Sequence, residues 1–330
     1  MTTPCPSDQP PPGSPALPVI TARAAWAIHA ALSRYPPRHA VMASEEPSIV
    51  TYLPAGDTPA PRGQRVPVLD IGYVRLVDWM GDDLSVTNAA RASYMKEATA
   101  FRAADERLIA FLASHGHHSP FRHATVSLEI KAPIMIARQW FKYRVGAAHT
   151  PDSAEFLGIE LPADFALALG WRGQGDDGGD GSGDLLHARN EASRRYVTLP
   201  PEFYIPGLPA TPAWRSRPEN SKQGSGGPVD DATATDATTR LQSLIVHALA
   251  NYDWALAAGI CAEQARLFLP AYGLHTVWRW TASVQAIAHF LTQRLNEDAQ
   301  GEIQSYARAV RTLVTPLFPN ALGALIPGDS

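Results

Sequence analysis

Cysteine is scarce in this chain: Cys5 and Cys261 are the two in 330 residues. Two thiols exclude a disulfide framework and a cysteine-rich zinc site, and they fit a reducing compartment. Long apolar runs are missing too. No stretch approaches the roughly 20 residues that span a bilayer, so no membrane association is expected. A bulk positive field is also absent. The formal net charge is -4, which recruits neither nucleic acid nor an anionic surface. Any phosphate must therefore meet a local cluster of arginines. The opening MTTPCPSDQPPPGSP has no basic region followed by an apolar core, so a cytoplasmic location is expected rather than secretion. The chain has no Walker loop, no GxGxxG after a strand, no GxSxG elbow and no HExxH.

What is present reads as a globular chain with interruptions. Residues 1–64 form a proline-rich, partly disordered extension, with a short helix at 21–34. From Arg65 the text changes. VPVLDIGYVRLVDWMG holds one or two strands, and helical spacing follows at 84–95 and 103–114, with Gly116 as a stop. Ser119-Pro120 opens a short helix at Phe121. ATVSLEIKA (124–132) alternates as a half-buried strand, and Pro133 precedes an apolar helix carrying Arg138 through Arg144. Residues 149–189 end in GQGDDGGDGSGD, a composition that cannot bury a core and predicts a flexible insert. A polar loop is expected at 207–236. Helical patterns return at 237–257, 262–269, 281–294 and 298–314, and 321–330 reads as a tail. Strands and helices first, then mostly helices, argue an α+β fold.

Several polar clusters can carry chemistry. Arg138 and Lys142 stand at i and i+4, with Gln139 beside them, on a helix whose neighbours are apolar. Cations there need anionic partners, and an ion pair to Asp or Glu is the simpler account. NEASRRY offers Glu191, Ser193 and Arg195 within one turn, able to grip a nucleotide, with arginine forking onto phosphate. Taken alone, a polar helix end is the simpler account of it. Arg266 in AEQARLFLP and Arg294 in HFLTQR sit among apolar residues, where surface pairing with Glu263 or Glu297 is the plain alternative. HGHHSPFRH brings His115, His117, His118 and His123 together. It has no close carboxylate or cysteine to complete a tetrahedron, so no metal is expected. NAARASY, with Ser93, packs small residues beside polar ones.

In order along the chain, VLDIGYVRLVDWMGDDLSVTNAARASY, HGHHSPFRH, KAPIMIARQWFKYR, NEASRRY, FYIP, AEQARLFLP, WRWT, HFLTQR and AQGEI resemble the flavin-dependent thymidylate synthases. The resemblance runs from about Val68 to Phe318. It implies an α+β fold with a central antiparallel or mixed sheet, flanking helices and a helical C-terminal half. The catalytic domain would be 65–320. The resemblance also implies a homotetramer with active sites between subunits, FAD as cofactor, NADPH as reductant and methylenetetrahydrofolate as carbon donor. The implied reaction is C5 methylation of dUMP. By position, Gln139, Glu191, Ser193, Arg195, Arg266 and Arg294 match the nucleotide-binding set, with Arg294 and Ser193 as catalytic residues. Ser93, His117, Ser119, Lys142, Tyr143, Arg144, Ser283 and His289 match the flavin side.

The chain also departs from that pattern. The family signature Arg-His-Arg-x-x-Ser-x-Asn-Glu-x-Ser-x-Arg-Tyr is split by an insert of about forty residues. Arg-His-Arg becomes Lys142-Tyr143-Arg144, and lysine loses the guanidinium fork. The first serine becomes Ala147. Asparagine and a cation after Trp-Thr become Ser283 and Gln285. The changes fall on the flavin side and leave the nucleotide side largely intact. Three readings follow: a dUMP methylase with a remodelled flavin pocket, a methylase of another pyrimidine nucleotide such as UMP, or a nucleotide-binding homologue that has lost FAD and catalysis.

Overall fold

The structure is a computed structural model that describes residues 61–143, 153–156, 159–162, 188–192, 200–218 and 225–326. The helix expected at 21–34 and the extension before residue 61 lie outside the described residues, as do Arg144, Ala147, Ser193 and Arg195.

VPVLDIGYVRLVDWMG forms two strands, β1 (Arg65–Val68) and β2 (Gly72–Met80). They pair antiparallel around a tight turn in which Leu69 takes a φ of 59°. A side chain at Gly72 would collide with the Tyr306 hydroxyl and with the Val68 and Lys131 carbonyls. That close approach lets Tyr306 donate to the Lys131 carbonyl oxygen at 2.8 Å. Helix α1 (Asp83–Arg91) starts at an Asp82 capping box with Ser85. Helix α2 (Ala103–Ser114) ends before Gly116, whose φ of +70° suits glycine. A 3-10 turn at Ser119–His123, with proline in its first turn, leads into β3 (Thr125–Pro133). Val126, Leu128, Ile130 and Ala132 are fully buried while Ser127, Glu129 and Lys131 face outward, the period-two pattern of a half-buried strand.

Helix α3 (Ile134–Trp140) is shorter than expected. The Tyr143 amide bonds back to the Trp140 carbonyl, a 3-10-type closure that ends the helix. Arg138 and Lys142 therefore do not share a helical face, and both are exposed. No buried cation needs compensation there.

The insert contains a hairpin of β4 (Ser153–Phe156) and β5 (Ile159–Pro162), so it is not wholly loop. Its last residues join β6 (Ala188–Glu191), where a helix end was expected. Helix α4 (Asp231–Ala257) begins inside the expected 207–236 loop because Asp230 caps it, accepting from the Thr233 amide. A four-residue helix α5 (Ala262–Ala265) runs into a 3-10 turn at Arg266–Phe268. HTVWRWTAS is a strand, β7 (His275–Ser283), rather than the start of a helix at 281. Trp278, Trp280 and Ala282 point inward in alternation. Helix α6 (Val284–Arg294) follows at once, capped by the Ser283 hydroxyl, then α7 (Gly301–Val314) and α8 (Pro319–Leu325). Ala321, Leu322 and Ile326 are buried, so 321–326 closes the core instead of trailing as a tail.

The sheet runs β1-β2-β3-β7-β6, antiparallel throughout. One face carries the core, in which Trp140 stacks on Phe290 at 4.3 Å and meets Trp278 and Trp280 edge-on, both at 5.5 Å. This cluster binds α3, α6 and α7 to β7. A second core, with Ile245, Leu249, Tyr252 and Leu269, seats α4 on the 3-10 turn that follows α5. On the opposite sheet face Arg75 grips Glu129 through Nη2 at 2.6 Å, and Tyr73 donates to it at 3.0 Å. Burial and the neighbouring carboxylate push the Tyr73 hydroxyl up to about 12.

His275, 4 % exposed, lies 3.6 Å from Asp70, and neither ring nitrogen makes a hydrogen bond among the described residues. Burial holds its pKa below the ordinary value of 6.5; Lys131 adds to this, and Asp70 and Glu202 oppose it. Above that value the imidazole is neutral in both folded and unfolded chains, and pH has no effect through it. Below it, the unfolded chain takes up a proton that the folded chain refuses, so stability falls with acid until the lower folded pKa is passed. Thermal melts of the wild type should therefore drop more steeply between neutral and mildly acidic pH than those of His275→Asn. Parallel curves would remove His275 from the acid response.

Candidate active site

Helix α6 supplies three of the polar residues singled out above. Ser283 caps it and is fully buried. His289 sits midway, half-buried, and burial lowers its pKa. Arg294 closes the last turn. Its guanidinium lies over the Tyr143 ring at 5.2 Å, within cation–π range. Tyr143 also faces His289, with ring centroids 5.6 Å apart. Burial raises the Tyr143 hydroxyl, and the Arg294 charge opposes that rise. Arg294 Nε is buried with no hydrogen-bond partner, and Arg294 has no ion pair among the described residues. The expected surface pairing with Glu297 is absent among the described residues, and the guanidinium meets the Tyr143 ring and hydroxyl rather than a carboxylate.

Gln139, on α3, donates through Nε2 to Gln300 Oε1 at 2.7 Å. Gln300 stands at the start of α7, beside a cavity of about 490 Å³ that Met135, Tyr204, Trp214, Tyr272 and Glu302 also line. Tyr204 donates to Glu302 at 3.0 Å on the wall of this cavity. Glu191 is on edge strand β6, exposed, and accepts from the Thr276 hydroxyl at 2.8 Å. Glu191 is on a strand and not on a helix turn, while Ser193 and Arg195, grouped with it by spacing, lie outside the described residues. Strand pairing to β7 overrides the local pattern.

Arg266 is exposed on the turn after α5, its Nε donating to the Glu263 carbonyl at 3.2 Å. Ser93, His117, Ser119 and Lys142 are exposed donors. His115 is spoken for: it stacks on Phe111 at 4.1 Å, and its Nδ1 lies 2.9 Å from the Phe111 carbonyl oxygen. Among the described residues no group of three or more His, Cys, Asp or Glu is placed to hold a metal ion. Cys261 is exposed.

Two partners were missed in the sequence. Gln300 meets Gln139, and Arg122 donates through Nε to Gln285 Oε1 at 2.7 Å. Both pairs join residues more than 160 positions apart, beyond the reach of local spacing.

The family model of the thymidylate synthase complementing protein matches residues 75–165 and 186–320, with its gap inside the insert. The flavin-dependent thymidylate synthase of a Thermus thermophilus strain is 34% identical over 259 residues, covering 78% of this chain and 77% of that protein. That of Thermotoga neapolitana is 31% identical over 262 residues, covering 79% and 94%. This chain belongs to the flavin-dependent thymidylate synthase family.

Flavin-dependent thymidylate synthases are methyl-transferring enzymes, and the chain is an enzyme of that kind. The fold agrees. A crystal structure of a UMP/dUMP methylase, PolB from Streptomyces cacaoi, bound with 5-Br dUMP, superposes with a TM-score of 0.56 at 25% identity. It covers 78% of this chain and 96% of that one. The same methylase bound with 5-Br UMP gives 0.56 at 23%. No helix among the described residues is long and apolar enough to cross a membrane. No finding favours the binding-homologue alternative.

Proposed function

We propose that this enzyme methylates C5 of dUMP in the cytoplasm, with FAD, NADPH and methylenetetrahydrofolate, in a homotetramer whose sites lie between subunits. The catalytic unit is 65–320. The observation that carries the reading is Arg294, a half-buried arginine that no carboxylate among the described residues neutralises, held against Tyr143 at the end of α6. A desolvated cation of this kind suits an anion that forms during reaction better than one already paired. Negative charge grows on the uracil ring as C5 becomes nucleophilic, and Arg294 is assigned to stabilise it.

Gln139, oriented by Gln300, offers an amide to the pyrimidine edge. Glu191, Ser193, Arg195 and Arg266 complete the nucleotide set, with Ser193 and Arg195 toward the phosphate. Ser93, His117, Ser119, Lys142, Tyr143, Arg144, Ser283 and His289 form the flavin side. The described members of that set fit a dinucleotide in kind. Ser93, His117, Ser119 and Lys142 are exposed donors, and Tyr143 and His289 are planar rings that face each other. Ser283 acts there through its cap on α6. Reduced FAD, recharged by NADPH, would supply the hydride that completes the methyl group.

A second substrate, UMP, has support of its own. The structurally similar methylase is described as acting on both UMP and dUMP. The test is reconstitution with FAD, followed by turnover with each nucleotide. The expected protein is yellow, with near-stoichiometric flavin, and turns over dUMP faster than UMP. Preference for UMP would exchange the substrates. A colourless protein that ignores FAD would defeat the proposal.

A further inference from the structure

Arg122 belongs to the Ser119–His123 turn, which is fixed to the start of α6 at two points. The Val284 amide donates to the Ala124 carbonyl at 2.9 Å, and Arg122 Nε donates to Gln285 Oε1 at 2.7 Å. Gln285 is 2 % exposed, and its Nε2 donor makes no hydrogen bond among the described residues. Its carbonyl oxygen already accepts from Arg122. Arg122 itself is half-buried and has no ion pair among the described residues. The two side chains are therefore rich in donors: the free edge of a guanidinium and a buried amide, at the N-terminal end of an eleven-residue helix. A half-buried cation costs free energy unless an anion meets it. A donor-rich pair that carries a positive charge selects an anion with several acceptor oxygens, and phosphate is the matching chemistry.

Gln285 and His289 are four residues apart on α6 and share a face. Ser119 stands three residues before Arg122 on the same turn. Both neighbours are assigned to the flavin above, and the inference rests on that reading. We infer that Arg122, oriented by Gln285, grips the diphosphate of the flavin dinucleotide. Gln285 is uncharged, and the cation at this point of α6 is delivered from the Ser119–His123 turn instead. Gln285 is then a positioning residue and Arg122 the group in contact.

The test compares FAD with riboflavin, which keeps the ring system and lacks phosphate. Flavin fluorescence titrations on the full-length chain give both affinities, and dUMP affinity is measured on flavin-free protein. Arg122→Gln should weaken FAD about 30-fold, within the range of a charge-assisted contact. Riboflavin and dUMP should stay within about two-fold. Arg122→Lys, which keeps charge and loses the fork, should fall between, and Gln285→Leu should cost FAD less than Arg122→Gln does. If FAD binding survives Arg122→Gln, or if FAD and riboflavin weaken together, the assignment is overturned. The second outcome would mark a structural role. If dUMP weakens while FAD does not, the phosphate belongs to the substrate and the assignment again fails. A wild-type chain that takes up no flavin overturns this inference and the proposed function together. Should Arg122→Gln fail to fold, Arg122→Lys decides alone: an unchanged ratio of FAD to riboflavin affinity overturns the assignment.

Discussion

Arg294→Ala should lower turnover by about 10²–10³-fold, the usual cost of deleting one charge-stabilising donor, while leaving the fold intact. The structure separates the two effects. Arg294 has no ion pair among the described residues, and its Nε finds no acceptor. Its contact with the Tyr143 ring, at 5.2 Å, is worth about 0.5–2 kcal/mol. Removing the side chain therefore strands no buried carboxylate among the described residues, and the melting temperature should move by no more than about 4 °C. The positive charge lies in a partly desolvated setting, where its field acts more strongly than in water. If Arg294 acts on charge that develops during reaction, kcat falls more than KM rises. Arg294→Lys should recover part of the loss, because charge returns without the fork. Turnover within about three-fold of wild type would remove Arg294 from the chemistry. A rise in KM with kcat unchanged would make it a plain binding residue.

Most of the fold could be read where hydrophobic period and surroundings agree. Strand β3 alternates cleanly because one sheet face is core and the other meets solvent. Helices α1 and α2 carry caps or stops at their ends. Strand β7 was hidden because Ser283 ends the strand and caps the helix in one residue, so no breaker separates the two patterns. Strand β6 has no apolar signature. ARNE is exposed at every position and becomes a strand through its pairing with Thr281 to Trp278. The site divides in the same way. Gln139 and Arg294 stood out in their motifs. Gln300 and Arg122 did not, because each acquires meaning from a side chain that folding brings in from the other half of the chain. Arg138 and Lys142 looked paired on a helix that ends two residues too soon.

Trp254→Glu should break the assembly and abolish most turnover. Helix α4 and the turn after α5 expose large apolar groups close together. Leu267 is 81 % exposed and Trp254 59 %, with Trp254 edge-on to Phe268 at 6.4 Å. Water contact on side chains of this size forfeits about 1.5–3 kcal/mol each. Grouped exposure of this kind is the surface that the proposed contact between subunits would cover. Arg266, assigned to the nucleotide, is next to Leu267 on the same turn, which fits a site completed across subunits. A glutamate at position 254 would have to be buried as an unpaired carboxylate, or keep the subunits apart. Trp254 carries no assigned role in binding, so its effect reports assembly and not the site. Light scattering should find the wild type at four chains and the variant at fewer. Turnover at micromolar protein should fall at least about 100-fold and return in part as concentration is raised, by mass action. Leu267→Glu should behave alike. If Trp254→Glu keeps both the wild-type mass and its turnover, this face is not the interface, and Arg266 must meet the nucleotide within its own chain. If the mass falls while turnover persists, the sites are complete within one subunit, and the shared-site reading fails.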